Sequence, residues 1–268
     1  MLITELRTGF LLARRARYLW TCLWLTLAVL AAAFLASQFS GRQPATVALD
    51  VGISTMRLLL PLLIIFLAQE LLSREFDRRY FLTSLSYPRP RHRFLLARLG
   101  TILLLGYAAM IVIAVTLALL TMMVASGYEQ ATPVDLGSAY WLNLGFFAVD
   151  LFVLTALATL LAVVATTPSF VLIGTLGFML VARSYSTIIT LLENKRWLFE
   201  SSELYQQSLS ILNFLLPDLA ALDIRMISLY GKMEFLPNDW QASLTAVLAY
   251  GVALIVLAIL FLQRKRFS

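Results

Sequence analysis

Long apolar runs alternate along the chain with short segments rich in charge. Six of these runs match, at least approximately, the roughly 20 apolar residues that an α-helix needs to cross a bilayer. We call them spans 1 to 6; they cover about Tyr18–Ala36, Val51–Leu72, Phe94–Val124, Tyr140–Ala165, Pro168–Leu192 and Ala242–Leu262. The pattern predicts an all-α integral membrane protein with six transmembrane helices, forming a single transmembrane domain over residues 1–268.

The segment before span 1, residues 1–17, has an amphipathic pattern. Leu6, Phe10 and Ala13 share one helical face, and basic residues such as Arg14 and Arg15 lie off that face. This pattern predicts an interfacial helix on the membrane surface. A cleaved signal peptide is the alternative, but span 1 is longer than the apolar core of a signal peptide. We therefore favour an uncleaved first span.

Between spans 2 and 3 lies a basic loop, Gln69–Arg98, with seven basic residues and three acidic ones. Short loops rich in Lys and Arg stay in the cytoplasm. Apolar residues recur in the loop every three to four positions and predict a short helix with one apolar face. These residues are Phe76, Tyr80, Leu82 and Leu85. The helix is expected to end at Tyr87-Pro88, because proline disfavours helix in the residue before it.

The same loop resembles the first cytoplasmic loop of type-2 ABC transporter permeases, the membrane subunits of many bacterial exporters. The matching positions are Arg74-Glu75, Phe81 to Leu85, Tyr87-Pro88, Arg91, Phe94-Leu95-Leu96 and Arg98. The sequence departs from the family pattern at Ala97-Arg98, where Gly-Lys is commoner, and at Asp77-Arg78-Arg79, where a glycine is usual. Charge and helical fit survive both departures.

The resemblance implies a separate ABC ATPase subunit that binds ATP and Mg and docks on a coupling helix in Gln69–Arg98. This chain would then hold no cofactor itself. The expected docking residues are Glu70, Arg74, Glu75, Phe76, Arg78, Arg79, Tyr80, Tyr87, Pro88 and Arg91. The resemblance also implies two permeases, a second copy or a homologue, and two ATPases in each assembly. It extends to maturation systems such as the nitrous-oxide-reductase assembly exporter.

Composition agrees with a membrane subunit that is not an enzyme. Hydrophobic residues make up 60% of the chain and charged residues only 13%, about half of what soluble domains carry. The sequence has no G-x-x-x-x-G-K-[ST] motif to cradle ATP phosphates. The net charge of +6 sits at the ends of apolar runs, so we expect no nucleic-acid partner. Its single Cys22 and single His92 predict neither a disulfide framework nor a metal site.

Six spans place both termini on the cytoplasmic side of a bacterial inner membrane, together with every strongly basic patch. Segment 193–240 then lies outside, where its four basic and seven acidic residues sum to −3. We predict two amphipathic helices there, around Trp197–Leu215 and Pro217–Tyr230. They would form an outer helical cap, which could bind an extracytoplasmic partner.

Three charges fall inside the predicted spans. Asp150 and Arg183 each lie about 15 Å from the outer end of their spans at helical rise, and Arg57 is expected nearer the outer surface. Intramembrane charges are costly and usually paired. One interpretation is an Asp150–Arg183 ion pair that locks spans 4 and 5 together. The other is a polar lining of an export path.

Three functional classes stay open at this point. The first is a permease of an ATP-driven exporter. The second is a six-span scaffold whose ATPase drives mechanical work on an outer partner. The third is a channel or membrane enzyme without an ATPase partner. The sequence does not identify a substrate.

Overall fold

The structure is a computed structural model that describes residues 2–73, 91–127, 133–165, 167–184 and 216–264. These parts contain helices and no strand, which confirms an all-α fold for them. The helices are α1 (Leu2–Arg15), α2 (Tyr18–Phe39), α3 (Pro44–Ala68), α4 (Arg91–Ser126), α5 (Ser138–Val164), α6 (Pro168–Arg183), the short α7 (Met226–Tyr230) and α8 (Trp240–Arg264).

Five of the described helices are long and apolar enough to cross a membrane: α2, α3, α4, α5 and α8. Helix α3 runs without a break into a π-helical turn, Gln69–Ser73. Helix α6 is apolar but has only 16 residues, fewer than the roughly 20 that a bilayer requires. The described residues therefore support a multi-span protein, and the count of six spans stays a prediction.

Helices α3 and α5 form the centre of the bundle. Both have buried residues along most of their length, whereas α2 buries only Tyr18, Val29, Ala33 and Ser37. Helix α8 packs closely on α5. At Gly251 the two helices approach so closely that an added Cβ would lie 2.5 Å from Cε1 of Phe152. The peripheral helices thus bury one narrow stripe each and leave wide apolar faces for lipid.

The bundle has two distinct ends. At one end α1 packs against the start of α4, where a Cβ added at Gly9 would lie 2.6 Å from Oγ1 of Thr101. At the same end Gln69 donates a 2.9 Å hydrogen bond to the carbonyl of Pro168. At the other end the backbone N–H of Asp135 donates to the carbonyl of Ser228 at 2.9 Å. The segment that precedes α8 therefore joins the end of the bundle opposite to α1.

The predicted limits of spans 1 and 2 leave residues 37–50 between them as a loop, and this predicted loop is too long. Helix α2 continues to Phe39 and α3 already begins at Pro44, with Gln43 as its N-cap. Proline suits the first turn of a helix, where its missing N–H costs no hydrogen bond. The charge of Asp50 made this region look like a loop, although the residue lies inside a helix.

Two further boundaries differ from the prediction. Span 5 was expected to reach Leu192, but its helix ends at Arg183 with Ser184 as the C-cap; residues 185–192 lie outside the described parts. The single helix predicted over Pro217–Tyr230 is wrong. In its place a 3-10 turn, Ala220–Leu222, is followed after a break at Asp223 by α7.

Two predicted helix limits, the start at Pro168 and the end at Tyr230, agree with the structure. Thr167 and Pro168 are the N-cap and first residue of α6. Helix α7 ends before Gly231, whose φ of 65° is easily adopted only by glycine. The coupling helix and the helix around Trp197–Leu215 involve residues 74–90 and 185–215, which lie outside the described residues.

Candidate functional site

The most buried charge that the structure describes is Asp150, at the middle of α5. Its side chain has no exposure, and Nη2 of Arg183 lies 2.5 Å from its Oδ2. The Nη2 atom of Arg57 is 3.8 Å from the same oxygen. One buried carboxylate is thus shared by two guanidinium groups, one from α3 and one from α6. This geometry corresponds to the interhelical interpretation of Asp150 and Arg183, with Arg57 as an additional member.

Arg57 lies deeper than the sequence analysis expected. It is the fourteenth residue of α3, about 20 Å from the start of the helix at helical rise. Asp150 is the thirteenth residue of α5, at about 18 Å by the same rise. The prediction that Arg57 lies near the outer surface is wrong, because it assumed that the helix begins at Val51, whereas α3 begins at Pro44.

Besides Asp150 on α5, Arg183 also contacts α3. Its Nη1 donates a 2.7 Å hydrogen bond to the backbone carbonyl of Arg57. In a regular helix that carbonyl accepts from the N–H four residues later, but the residue there is Pro61, which has no N–H. In a membrane, neighbouring groups must satisfy backbone positions freed by proline. Nη1 of Arg183 satisfies the carbonyl here, while Nη2 of the same guanidinium binds Asp150.

The charged cluster continues toward the end of the bundle that carries α7. Nη1 of Arg57 lies 2.7 Å from Oδ1 of Asp223, and Nε of Arg225 lies 3.6 Å from Oδ2 of the same aspartate. Arg225 also lies 3.0 Å from Oδ1 of Asp50 and hydrogen-bonds Ser54 on α3. We call the six residues Asp50, Arg57, Asp150, Arg183, Asp223 and Arg225 the charge ladder.

Exposure rises steadily along the charge ladder. The side chain of Asp150 is 0% exposed, that of Arg57 is 9%, and that of Asp223 is 30%. Asp50, at the open end, is 46% exposed. Three arginines balance three aspartates, so the ladder is neutral when all six are ionised. It connects the buried middle of the bundle to one of its ends by alternating charges.

The packing around the charge ladder is apolar and close. The guanidinium carbon of Arg57 lies 5.9 Å from the ring centroid of Phe147, within the range of a cation–π contact. The segment that precedes α8 is attached beside it, because the N–H of Leu219 donates to the carbonyl of Ala182 at 3.3 Å. Oδ1 of Asp150 and Nε of Arg183 make no hydrogen bond to any residue in the described parts of the chain.

Sequence reasoning did not find Asp50, Asp223 and Arg225. The signal for Asp50 was its spacing to Ser54 and Arg57, which puts the three on one helical face once the helix starts at Pro44. The pair Asp223-x-Arg225 gives no comparable signal. Its partners lie more than 160 residues earlier in the chain, and only the tertiary fold brings them together.

The expected ATPase-docking residues are only partly described. Glu70 lies on the π-helical turn, and Arg91 is the first residue of α4. The others, Arg74, Glu75, Phe76, Arg78, Arg79, Tyr80, Tyr87 and Pro88, are outside the described residues. What the structure adds is the direct continuity of the segment with α3 on one side and α4 on the other.

The chain matches the model of a known protein family. Residues 6–184 are similar to the family described as ABC-2 family transporter protein. The matched region covers Arg57, Asp150 and Arg183 and leaves out the segment before α8 with Asp223 and Arg225. No curated protein matches the chain.

Proposed function

The chain belongs to the ABC-2 family of transporter proteins, as a membrane permease subunit of an ABC transporter, and we propose that it couples ATP hydrolysis in a separate subunit to export. Permeases of this family typically pair with an ABC ATPase. Such a permease is a transporter component rather than an enzyme. In our proposal the ATPase binds ATP and Mg and docks on Gln69–Arg98 at the cytoplasmic face of a bacterial inner membrane.

The observation that carries the proposal is that α3 links the docking segment to the charge ladder. The π-helical turn at Gln69–Ser73 continues α3 directly. Arg57 precedes Gln69 by twelve residues, about 18 Å along the same helix. A displacement at the docking segment therefore reaches the ladder through one element. Pro61 lies between the two and offers a place for the helix to bend.

In the proposed cycle, closure of the ATPases pushes the docking segment and tilts α3 and α4. The tilt moves Arg57 relative to Asp150 on α5 and Asp223 in the outer segment. Charged groups in a membrane protein are tolerated where they pair or face a polar path. We propose that the ladder is closed by its ion pairs in the resting state and lines the outward path when α3 tilts.

The assembly would contain two permeases and two ATPases. The second permease is a further copy of this chain or a homologue. With six spans, both termini lie in the cytoplasm and segment 193–240 lies outside. This arrangement is supported by the opposite placement of α1 and α7 at the two ends of the bundle.

A second candidate is mechanical work on an extracytoplasmic partner, as in assembly systems like that of nitrous-oxide reductase. The observation in its favour is a set of exposed apolar side chains in the outer segment. Met226, Tyr230, Met233 and Phe235 are 41%, 36%, 51% and 46% exposed. Exposed apolar groups so close together are typical of interaction surfaces.

The test is reconstitution with an ATPase. We expect that one ABC ATPase of the same cell, co-expressed with the permease, co-purifies with it and hydrolyses ATP in proteoliposomes. Changing Glu75→Lys and Arg78→Glu should abolish binding or coupling while membrane insertion is unchanged, because charges at the rim of an interface orient docking. Arg42→Gln, an exposed basic change outside the loop, is the matched control.

The results separate the alternatives. Stimulation of ATPase activity by a transported substrate supports export, whereas stimulation by an outer protein domain supports mechanical work. Full binding and activity in the Glu75/Arg78 variant contradict docking on Gln69–Arg98. A channel or enzyme would act without any ATPase.

A further inference from the structure

An open groove of about 420 Å³ lies between the α1–α2 junction and the far end of α3. Its lining residues are Leu12, Arg15, Ala16, Arg17, Phe66 and Glu70. Both walls are anchored: α1 packs on α4 at Gly9, and the turn after α3 is tied to α6 by the Gln69–Pro168 hydrogen bond. The groove is therefore a fixed feature of the end of the bundle opposite to α7.

The groove combines both signs of charge with apolar surface. Arg15 and Arg17 are exposed basic residues, and Glu70 contributes a carboxylate to the same lining. Leu12, Ala16 and Phe66 supply apolar contacts. Guanidinium groups bind phosphate oxygens with paired hydrogen bonds. A carboxylate is the matching acceptor for a primary ammonium group.

Arg17 has an unusual backbone. Its φ of 59° and ψ of 30° are left-handed, and it is the only non-glycine residue with positive φ in the described parts of the chain. Such a conformation is uncommon for side chains other than Asn, Asp or Gly, and strain of this kind concentrates at ligand-binding positions. The strain sets the corner between α1 and α2, where Arg17 lines the groove.

The groove also adjoins surface suited to acyl chains. The first turns of α2 expose Leu19, Trp20 and Leu23, which are 67%, 62% and 47% exposed. Aromatic residues such as Trp20 are typical of the membrane interface. A headgroup in the groove can therefore keep its chains against an apolar helix face.

We propose that the groove binds a phosphatidylethanolamine-type lipid. Its phosphate would lie on Arg15 and Arg17, its primary ammonium on Glu70, and its chains along α2. A glycerol headgroup carries no ammonium group, and a choline headgroup has no N–H to donate to Glu70. The bound lipid would link α1 to the turn that leads into the docking segment. This inference does not depend on the ATPase.

The test uses the purified, delipidated full-length permease in detergent. Phosphatidylethanolamine, phosphatidylcholine and phosphatidylglycerol with identical acyl chains are added separately. Lipid retention is measured by native mass spectrometry and thermal protection by the shift in Tm. Phosphatidylethanolamine should bind at least about tenfold more tightly than the other two, as expected for the gain or loss of one charge-assisted hydrogen bond.

Two variants give the proposal separate checks. Glu70→Gln should remove the preference for phosphatidylethanolamine over phosphatidylcholine. Arg17→Gly should weaken binding of both by about tenfold, while the lipid-free protein keeps or gains stability because glycine relieves the left-handed backbone. Arg14→Gln, an exposed basic change on the same helix but outside the lining, should leave binding unchanged.

Three results would overturn the proposal. They are tighter binding of phosphatidylglycerol, equal binding of the ethanolamine and choline lipids by the unaltered protein, and an Arg14→Gln loss as large as that of Arg17→Gly. Soluble phosphoethanolamine should give no thermal shift. Equal protection by this soluble compound would assign the groove to a free metabolite rather than a lipid.

Discussion

The side chain of Arg183 hydrogen-bonds the backbone carbonyl of Arg57 at 2.7 Å, and the same guanidinium binds Asp150 on a third helix. One residue at the end of α6 therefore meets two needs of the bundle interior. It neutralises a fully buried carboxylate, and it occupies the carbonyl to which Pro61 cannot donate. In lipid, an unpaired charge and a backbone carbonyl without a hydrogen bond each carry a large free-energy cost.

The first prediction concerns the pair Asp150 and Arg183. Asp150→Asn and Arg183→Gln should each lower the unfolding free energy in micelles by about 3–5 kcal/mol, because each leaves a buried charge with fewer partners. The double variant should lose less than the sum of the two single losses. Unfolding by SDS followed by circular dichroism gives the three values. The exposed control Arg42→Gln should be neutral, and additive losses would favour separate roles for the two residues.

A second prediction separates the two contacts of Arg183. Pro61→Ala supplies an N–H for the carbonyl of Arg57, so the helix itself can satisfy that oxygen. The cost of Arg183→Gln should then fall by about 1 kcal/mol relative to the same change in the unaltered protein, the value of one hydrogen bond. The same unfolding assay on the four proteins measures this coupling. An unchanged cost would mean that the carbonyl contact contributes nothing to stability.

Much of the fold could be predicted because apolar length alone identifies helices that cross a bilayer. The runs at α2, α4, α5 and α8 are long, contain at most one charged residue each and are bounded by polar residues, so their helices appear within a few residues of the predicted limits. Local chemistry also predicted single boundaries, such as Pro168 at the start of α6 and Gly231 after α7.

The charge ladder could be predicted only in part. Asp150 and Arg183 were visible as isolated charges in apolar runs. Asp50 was not, because a charge near the end of an apolar run is equally compatible with a loop. Asp223 and Arg225 lie in a segment whose regular helical spacing predicted one helix, whereas contacts with α3 break it at Asp223. Tertiary pairing outweighed local propensity there.

The third prediction concerns the attachment of the segment that precedes α8. Asp223→Asn and Arg225→Gln should each speed amide hydrogen exchange in α7 by up to about fivefold, since partly exposed ion pairs contribute up to about 1 kcal/mol to local stability. The change in exchange rate should be confined to α7 and to the residues near Asp135, which is hydrogen-bonded to Ser228 of α7. Lys232→Gln, an exposed change in the same segment, is the control. Exchange that stays at the unaltered rate would show that apolar packing alone holds α7 in place.

The last prediction tests the sidedness on which the proposed docking depends. In a Cys22→Ala background, Ser138→Cys at the exposed start of α5 and Ser202→Cys in the predicted cap should react with an impermeant thiol reagent added to intact cells. Ser84→Cys in the basic loop should react only after the membrane is opened, because loops rich in arginine stay inside. Ser138 lies close to Asp135, at the end of the bundle that carries α7. Reaction at Ser138 without reaction at Ser202 would mean that the chain between α6 and α7 does not remain outside and that the span count differs from six. The reverse pattern at Ser84 and Ser138 would place the basic loop outside the cell, where an ATPase has no access to cytoplasmic ATP.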